Sequence, residues 1–479
     1  MYCAFPEVAC YANDNDAFIP EQWALEGLMQ LEEQMVAAAL VHRDFEDAVA
    51  QYGDTVNTRR PGEFKVRRKS DSTTSLDKQD ATSTNVPVKL NQWFYNSFVI
   101  KDGEQSMSFQ DLVDVYLVPS MRTIARSVDR ALLGHVHRFL GSAPTARVGR
   151  LQNLLAASSH EVVLEAREKL NSNNAPLDAA RSLLLSSMSE TALLKNDMFL
   201  KANERGDGGE ALENARLGRI LGFNTFLAQN VPYCNSLGAD TVAGAINNAT
   251  GYPAGTATEL TVDGLSAAIT AGSYVNVAGN DQPTWATGST GGSTPTGITL
   301  SEALKYAVLD NAVVTVYDPA TVDASAQSGT EYAVGYDEQI ILDGYTANKH
   351  PQVGQLLSIG TSTRYTYTII ESEAVTTTSC KVMLDRPLEA ALADGVSVFP
   401  GPAGSLNLAL HREAIALVTR PLAVPNNRMG VLSGVGSYND VGMRVSMQYD
   451  IDAGGTVVNC DMLAGIKELD TNLAVVLLG

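Results

Sequence analysis

The chain has little with which to do covalent chemistry. Its five cysteines (Cys3, Cys10, Cys234, Cys380, Cys460) are odd in number, scattered and without a C-x-x-C pair, so they read as free thiols and supply neither a disulfide framework nor a zinc site. The six histidines do not converge in the sequence. His135 and His137 stand two apart on a predicted helix and face different sides, unlike a zinc-binding i, i+4 pair. A G-x-S-x-G elbow, a Walker A loop and a G-x-G-x-x-G fingerprint are all missing. Ser75 and Lys78 have S-x-x-K spacing, but they lie in a polar stretch rather than at a buried helix start, and the spacing reads as coincidence. No catalytic residue, cofactor or metal is nominated.

Long apolar runs are lacking too. The longest candidate, "NLAVVLLG" at the C-terminus, is far short of the roughly 18–20 apolar residues that span a bilayer, so no membrane-spanning helix is expected. "MYCAFPEVACYANDND" has neither the cationic start nor the apolar core of a secretory signal, and cytoplasmic synthesis is expected. Positive charge is scarce: 34 Lys and Arg face 54 Asp and Glu, for a net charge of −20. Such a chain repels nucleic acid as a whole, and any contact with it must use a local patch. What is present is a globular composition, 45% hydrophobic with 39 glycines in 479 residues, which suggests a mixed helix and sheet protein of about two to four domains.

Along the chain, residues 20–52 carry apolar side chains at helical spacing (Trp23, Leu28, Leu31, Met35, Ala39, Phe45, Val49), predicting one long or two shorter amphipathic helices behind an acidic arm. "TVNTRRPGEFKVRRKS" and "NVPVKLNQWFYNSFVI" are rich in β-formers around the polar "DSTTSLDKQDATST", and together predict a long hairpin. A lone hairpin is marginal in water, so this one is expected to lie on another surface, such as a second subunit. Residues 108–139 predict the strongest helix, with Met121, Ile124, Val128, Leu132 and Val136 on one face and a kink at Pro119. From 150 to 234 helical and strand patterns alternate. Residues 236–402 turn acidic, Gly/Thr/Ser-rich and strand-like, predicting an inserted β module, a small barrel or sandwich. Helix and strand patterning returns from 405, and no regular internal repeat is evident. The fold class is α+β.

Two local features have competing readings. "DIDAGGTVVNCD" places Asp450, Asp452, Asn459 and Asp461 at calcium-loop positions, but Gly454 stands at a ligand position and the flanks read as strands, which favours a hairpin turn. The stretch "RRPGEFKVRRK" gathers Arg59, Arg60, Lys65, Arg67, Arg68 and Lys69. It reads either as a phosphate-binding patch with Phe64 to stack or as a strand docking on an acidic neighbour, and the acidity of the rest of the chain favours the second.

The order of parts resembles the major capsid proteins of tailed bacteriophages, the Hong Kong 97-like fold. "GRILGFNTFLAQNVP" (218–232) is similar to the strand that ends the first half of that family's axial domain, and "LALHREAIALVTRPLAVP" (408–425) to its helix and strand after the insert. "VGQLLSIG" and "SCKVMLDRPLEAALADGVSVF" are similar to the inserted β-barrel of short-tailed phage coat proteins. This insert is longer than that family suggests, which makes "TWATGSTGGSTPTG" an expected surface excursion.

The resemblance implies an N-terminal arm and helix (1–54), an extended hairpin loop (55–105), a spine helix of the peripheral domain (106–149), an axial domain in two parts (150–235 and 403–430), an insert (236–402) and peripheral C-terminal strands (431–479). It implies a non-enzymatic virion protein, made and assembled in a bacterial cytoplasm, that forms pentamers and hexamers enclosing double-stranded DNA contacted non-specifically. Its implied partners are further copies, a portal protein, a scaffolding protein and a cement protein. Asp14, Asp16 and Glu21 are candidates for scaffold contact, and Lys69 or Lys78 with Asn459 for the lysine–asparagine crosslink some relatives form. A nanocompartment shell would lack the inserted barrel. A secreted β-rich adhesin would need an export signal, and a hydrolase would need a clustered nucleophile and base.

Overall fold

The computed structural model describes Ala24, Glu26, Gly27 and residues 35–43, 53–61, 66, 68, 83–102, 116–136, 147–148, 159–178, 180–196, 215, 217–234, 241–301, 303–304, 306–317, 319–324, 331–345, 350–360, 365–400, 404–425, 431–438, 441–452 and 454–479. Strands dominate these residues. The labelled elements are β1 (Thr55–Pro61), β2 (Ser83–Lys89), β3 (Gln92–Lys101), α1 (Val118–Gly134), α2 (Ser159–Ser172), β4 (Arg181–Leu185), α3 (Ser187–Leu194), β5 (Phe223–Leu227), β6 (Gly404–His411), β7 (Ile415–Arg420), β8 (Leu432–Tyr438), β9 (Val441–Asp450), β10 (Gly455–Glu468) and β11 (Ala474–Leu478).

A seven-stranded mixed sheet runs Arg147–Val148, β11, β6, β4, β5, Arg219–Ile220, with Tyr233–Cys234 beside β6. Its central strands are apolar on both faces, as covered strands must be. Leu183, Leu185, Ala409, Val475 and Leu477 pack with α2 through Val163, Ala166 and Leu170. Leu184, Leu408, Leu410, Val476 and Leu478 belong to the main core with α1. A second sheet has β10 at its centre, flanked by β7 and β9 on one side and β3 on the other, with β8 outermost. Helix α1 lays Met121, Ile124, Val128 and Leu132 into the same core, as their spacing predicts. A π turn at residues 116–117 stands just before Pro119, a disturbance of the kind proline imposes on a continuing helix.

Three expectations change. Residues 35–43 are not helical throughout: a single 3-10 turn, Ala38–Leu40, is followed by extended Val41 and by His42 bridging Ala416. Asp129 of α1 accepts the amides of Val36 and Ala38 at 3.1 and 3.2 Å, so those donors serve a tertiary contact. Residues 92–101 do not belong to the hairpin: after β2 the chain breaks at Leu90–Asn91 and β3 joins β10 over ten paired positions. The helix expected after the insert is two strands, β6 and β7, joined by the 3-10 turn Arg412–Ala414. All of β6 and β7 is buried, so the apolar spacing there reflects burial on both faces.

The insert leaves after Cys234 and returns at Gly404, and these two residues pair directly. It is two closed six-stranded barrels, residues 241–317 and 320–400. Numbering strands by chain order within each, both read 1-2-5-4-3-6 around the barrel. The likeness extends to single bonds. The hydroxyl of Tyr252 accepts the amide of Thr261 and that of Tyr332 accepts the amide of Ile341. Asp310 takes the amide of Asn248 as Asp394 takes that of Ala324. Gly272 donates to Ala286 as Gly354 does to Ile369, and both acceptors adjoin a bulge between strands 4 and 5. "YPAGTATELTVDG" (252–264) and "YAVGYDEQIILDG" (332–344) align without a gap, sharing Tyr, Gly, Asp and Gly. The insert is therefore an internal repeat, contrary to the sequence reading. "TWATGSTGGSTPTG" (284–297) is no excursion either: it supplies most of strand 4 of the first barrel, Asn280–Thr290, and the turn into strand 5, Gly297–Leu300.

Candidate assembly interface

The hairpin of β1 and β2 pairs with no other described strand. Its base is anchored: Val88 and Leu90 are buried against Ala416, Val418 and Leu463. Gly465 permits the approach, since a Cβ there would sit 2.6 Å from the Lys89 carbonyl oxygen. Farther along the hairpin, Val66 is 100% exposed. Arg59 and Arg60 lie on β1 opposite Asn85 and Thr84, and Arg68 is exposed. Lys65, Arg67, Lys69, Lys78, Asp14, Asp16 and Glu21 lie outside the described residues.

Beside the hairpin base, β3 turns alternate residues to two environments. Phe94 and Phe98 pack toward the core with α1, while Trp93 and Tyr95 are 50% and 69% exposed. Among the described residues β3 pairs only with β10, so its other edge is open. On the same outer face Ser97 donates to Asn459 Oδ1 at 2.7 Å, and Asn459 Nδ2 donates to Asp461 at 3.3 Å. Asp461, 1% exposed, is held by the Arg444 guanidinium. Asn459 thus belongs to a hydrogen-bonded row across the sheet.

A groove of about 790 Å³ separates β3 from the second barrel. Trp93 and Tyr95 line one side and Asp337, Glu338 and Met383 the other. The barrel is set there by a buried joint with the C-terminal end of α1. A Cβ at Gly134 would overlap Thr368 Oγ1 and come within 3.2 Å of Asp385 Oδ2. Asp385 accepts the Thr368 amide at 2.8 Å. Arg386 spans Asp385 at 2.8 Å and Glu389 at 2.9 Å, and lies 4.7 Å over the Tyr367 ring. Burial alone would lower the pKa of Arg386; the two carboxylates outweigh it and raise it. Burial also pushes the Tyr367 hydroxyl up to about 12. No motif in the sequence marked this network or the acids of the groove.

Other candidates resolve into structure. Asp450 pairs with Gly455 across a tight β9–β10 turn, and Asn459 and Asp461 continue up β10 opposite Ser446 and Arg444. The acids of "DIDAGGTVVNCD" are therefore strung along a hairpin, and no group of His, Cys, Asp and Glu suited to a metal occurs among the described residues. Cys380 and Cys460 are buried free thiols, both pushed up to about 12 by burial. Asn407, fully buried, donates to Ser189 at 2.9 Å and accepts the Ser186 amide at 2.8 Å, which ties α3 to β6. No described helix is long and apolar enough to cross a membrane.

Against known proteins, no family model and no curated protein matches the chain. Among solved structures it is similar to a chain from Mycobacterium phage Che8, with 10% identity, 92% of this chain and 90% of that one covered, and a TM-score of 0.41. It is similar also to a chain of the capsid of Cyanophage P-SCSP1u (12% identity, 91% and 90% covered, TM-score 0.38). A third is a chain of the mature capsid of bacteriophage PhiM1 (8% identity, 90% and 83% covered, TM-score 0.39).

Proposed function

We propose that the chain is a major capsid protein, a non-enzymatic subunit that assembles as pentamers and hexamers into an icosahedral phage head around double-stranded DNA. The hairpin carries this reading. It is anchored at its base, pairs with no other described strand and holds a wholly exposed valine, whereas a two-stranded ribbon needs a further surface for stability. A second copy supplies that surface in a shell. The order of hairpin, long helix, two-part mixed sheet and returning C-terminal strands agrees with the Hong Kong 97-like plan. The insert carries 17 acids against 5 cations in residues 236–402, a charge that suits a position away from packaged DNA. Portal, scaffolding and cement proteins are the further partners in this reading.

Electron microscopy of the purified protein, alone and with a co-expressed scaffold, tests it. Uniform closed shells are expected. A protein that stays monomeric under all assembly conditions, with its hairpin protected from protease, overturns the reading.

A further inference from the structure

We propose that the groove between β3 and the second barrel seats the cationic hairpin segment, residues 59–69, of a second copy of the chain. The inference rests on the shell reading and names the surface that one subunit offers another.

The groove's chemistry comes first. One wall offers half-exposed Trp93 and Tyr95 beside the open edge of β3, and the other offers Asp337 and Glu338, both exposed and in no ion pair among the described residues. Aromatic faces next to carboxylates favour a ligand with apolar and cationic groups in alternation. An open strand edge favours an extended ligand.

The repeat separates what the barrel needs from what the groove needs. In the gapless alignment of 252–264 with 332–344, Tyr252, Gly255, Asp263 and Gly264 recur as Tyr332, Gly335, Asp343 and Gly344. Asp337 and Glu338 fall opposite Ala257 and Thr258. The first barrel closes with the same strand order without that acid pair, so barrel folding does not require it. The acids occur in the barrel that faces β3.

The occupant follows from charge and pattern. Residues 59–69 hold six cations and one acid in a chain of net charge −20. In extended conformation Phe64, Val66 and Arg68 point one way and Lys65, Arg67 and Lys69 the other. The first row suits Trp93 and Tyr95, with Arg68 over a ring; the second suits Asp337 and Glu338. Val66 has no cover in its own chain. Two residues separate the end of β2 at Lys89 from the start of β3 at Gln92, and the seven paired positions of β1 and β2 put Pro61 roughly 20 Å from that junction.

Charge reversal and mixing test the proposal, with assembly followed by sedimentation velocity. Asp337→Lys with Glu338→Lys, and separately Arg67→Glu with Arg68→Glu, should each raise the protein concentration needed for assembly by at least about tenfold. Thermal melts should be unchanged for the first pair, because those side chains are exposed. Mixing the two variants should recover part of the assembly, since alternating neighbours then meet a complementary partner and only the odd contact of a five-membered ring does not. Assembly of D337K/E338K at the wild-type concentration overturns the proposal. So does a mixture that shows no recovery at all while one chain carrying all four changes assembles, which places the strand in its own groove. If the reversal unfolds the barrel, Asp337→Asn with Glu338→Gln should assemble with weakened salt dependence, and an unaltered salt dependence counts against the groove. Absence of wild-type shells overturns the shell reading itself, whereas wild-type shells with indifferent variants overturn only this inference.

Discussion

Tyr252 and Tyr332 hold the same position in two successive barrels, each accepting through its hydroxyl a backbone amide nine residues ahead: Thr261 at 2.7 Å and Ile341 at 3.1 Å. The surroundings differ. The bond to Tyr332 is buried, and the bond to Tyr252 is exposed. An amide that loses its partner in the interior keeps its desolvation cost, whereas water replaces the partner at the surface. Tyr332→Phe should therefore cost about 1–3 kcal/mol and Tyr252→Phe well under 1 kcal/mol. Chemical denaturation of the two variants measures the difference, and equal costs would contradict the account.

The joint between α1 and the second barrel depends on a missing side chain. Because a Cβ at Gly134 would overlap Thr368 Oγ1, Gly134→Ala should destabilise the protein by roughly 1–3 kcal/mol through overpacking. Thr368→Ala made with it removes the overlapping oxygen, so the double variant should be more stable than the summed single effects predict. Additive effects in thermal melts would argue against direct contact.

Arg386 neutralises a carboxylate that has no access to water: the Asp385 side chain is 0% exposed. Arg386→Met keeps much of the volume but leaves that charge unpaired, and should cost about 3–5 kcal/mol. Protease would then cut first within 320–400 if the barrel loosens locally. A loss below 1 kcal/mol would contradict the account.

Asp129 gives stability a dependence on pH. Burial raises its pKa from 3.8 to about 6, against the opposing amides of Val36, Ala38 and Ala37. The folded state therefore binds the proton more tightly than the unfolded state does. The resulting stability is complete below about pH 4 and is lost as pH rises through about 6, by roughly 2–3 kcal/mol in all. The advantage of wild type over Asp129→Asn should shrink by that amount between pH 4 and 7 in denaturant titrations. A constant difference would place the carboxyl pKa near its ordinary value.

Much of this architecture is legible in the chain. The spacing of Met121, Ile124, Val128 and Leu132 marks α1, and the runs 338–345, 379–385 and 396–401 fall on strands of the second barrel. The first barrel is harder to read because Gly, Thr and Ser crowd the later half of its strand 4 and the turn that follows, where backbone closure rather than apolar alternation sets the structure. The repeat is hidden because it is preserved in bonds, such as Tyr332 to Ile341, and in only four identities along 252–264. At 404–420 burial on both faces mimics helical spacing, and β6 and β7 are misread. The groove was not legible at all: Trp93 and Asp337 are far apart in sequence, and only the docking of the barrel on Gly134 brings them together.

Closing both barrels also governs what a crowded solution of subunits does wrong. An open sheet offers unpaired amides and carbonyls to any strand it meets, and edge-to-edge pairing is a common route to aggregation. Twelve strands of the insert spend those groups on one another, so the unpaired strand edges lie outside the two barrels, those of β3, β8 and the hairpin among them. A long, threonine-rich insertion thus keeps its backbone to itself and meets a neighbour through side chains. The edges left unpaired lie outside the barrels, where a neighbour in the correct orientation can reach them.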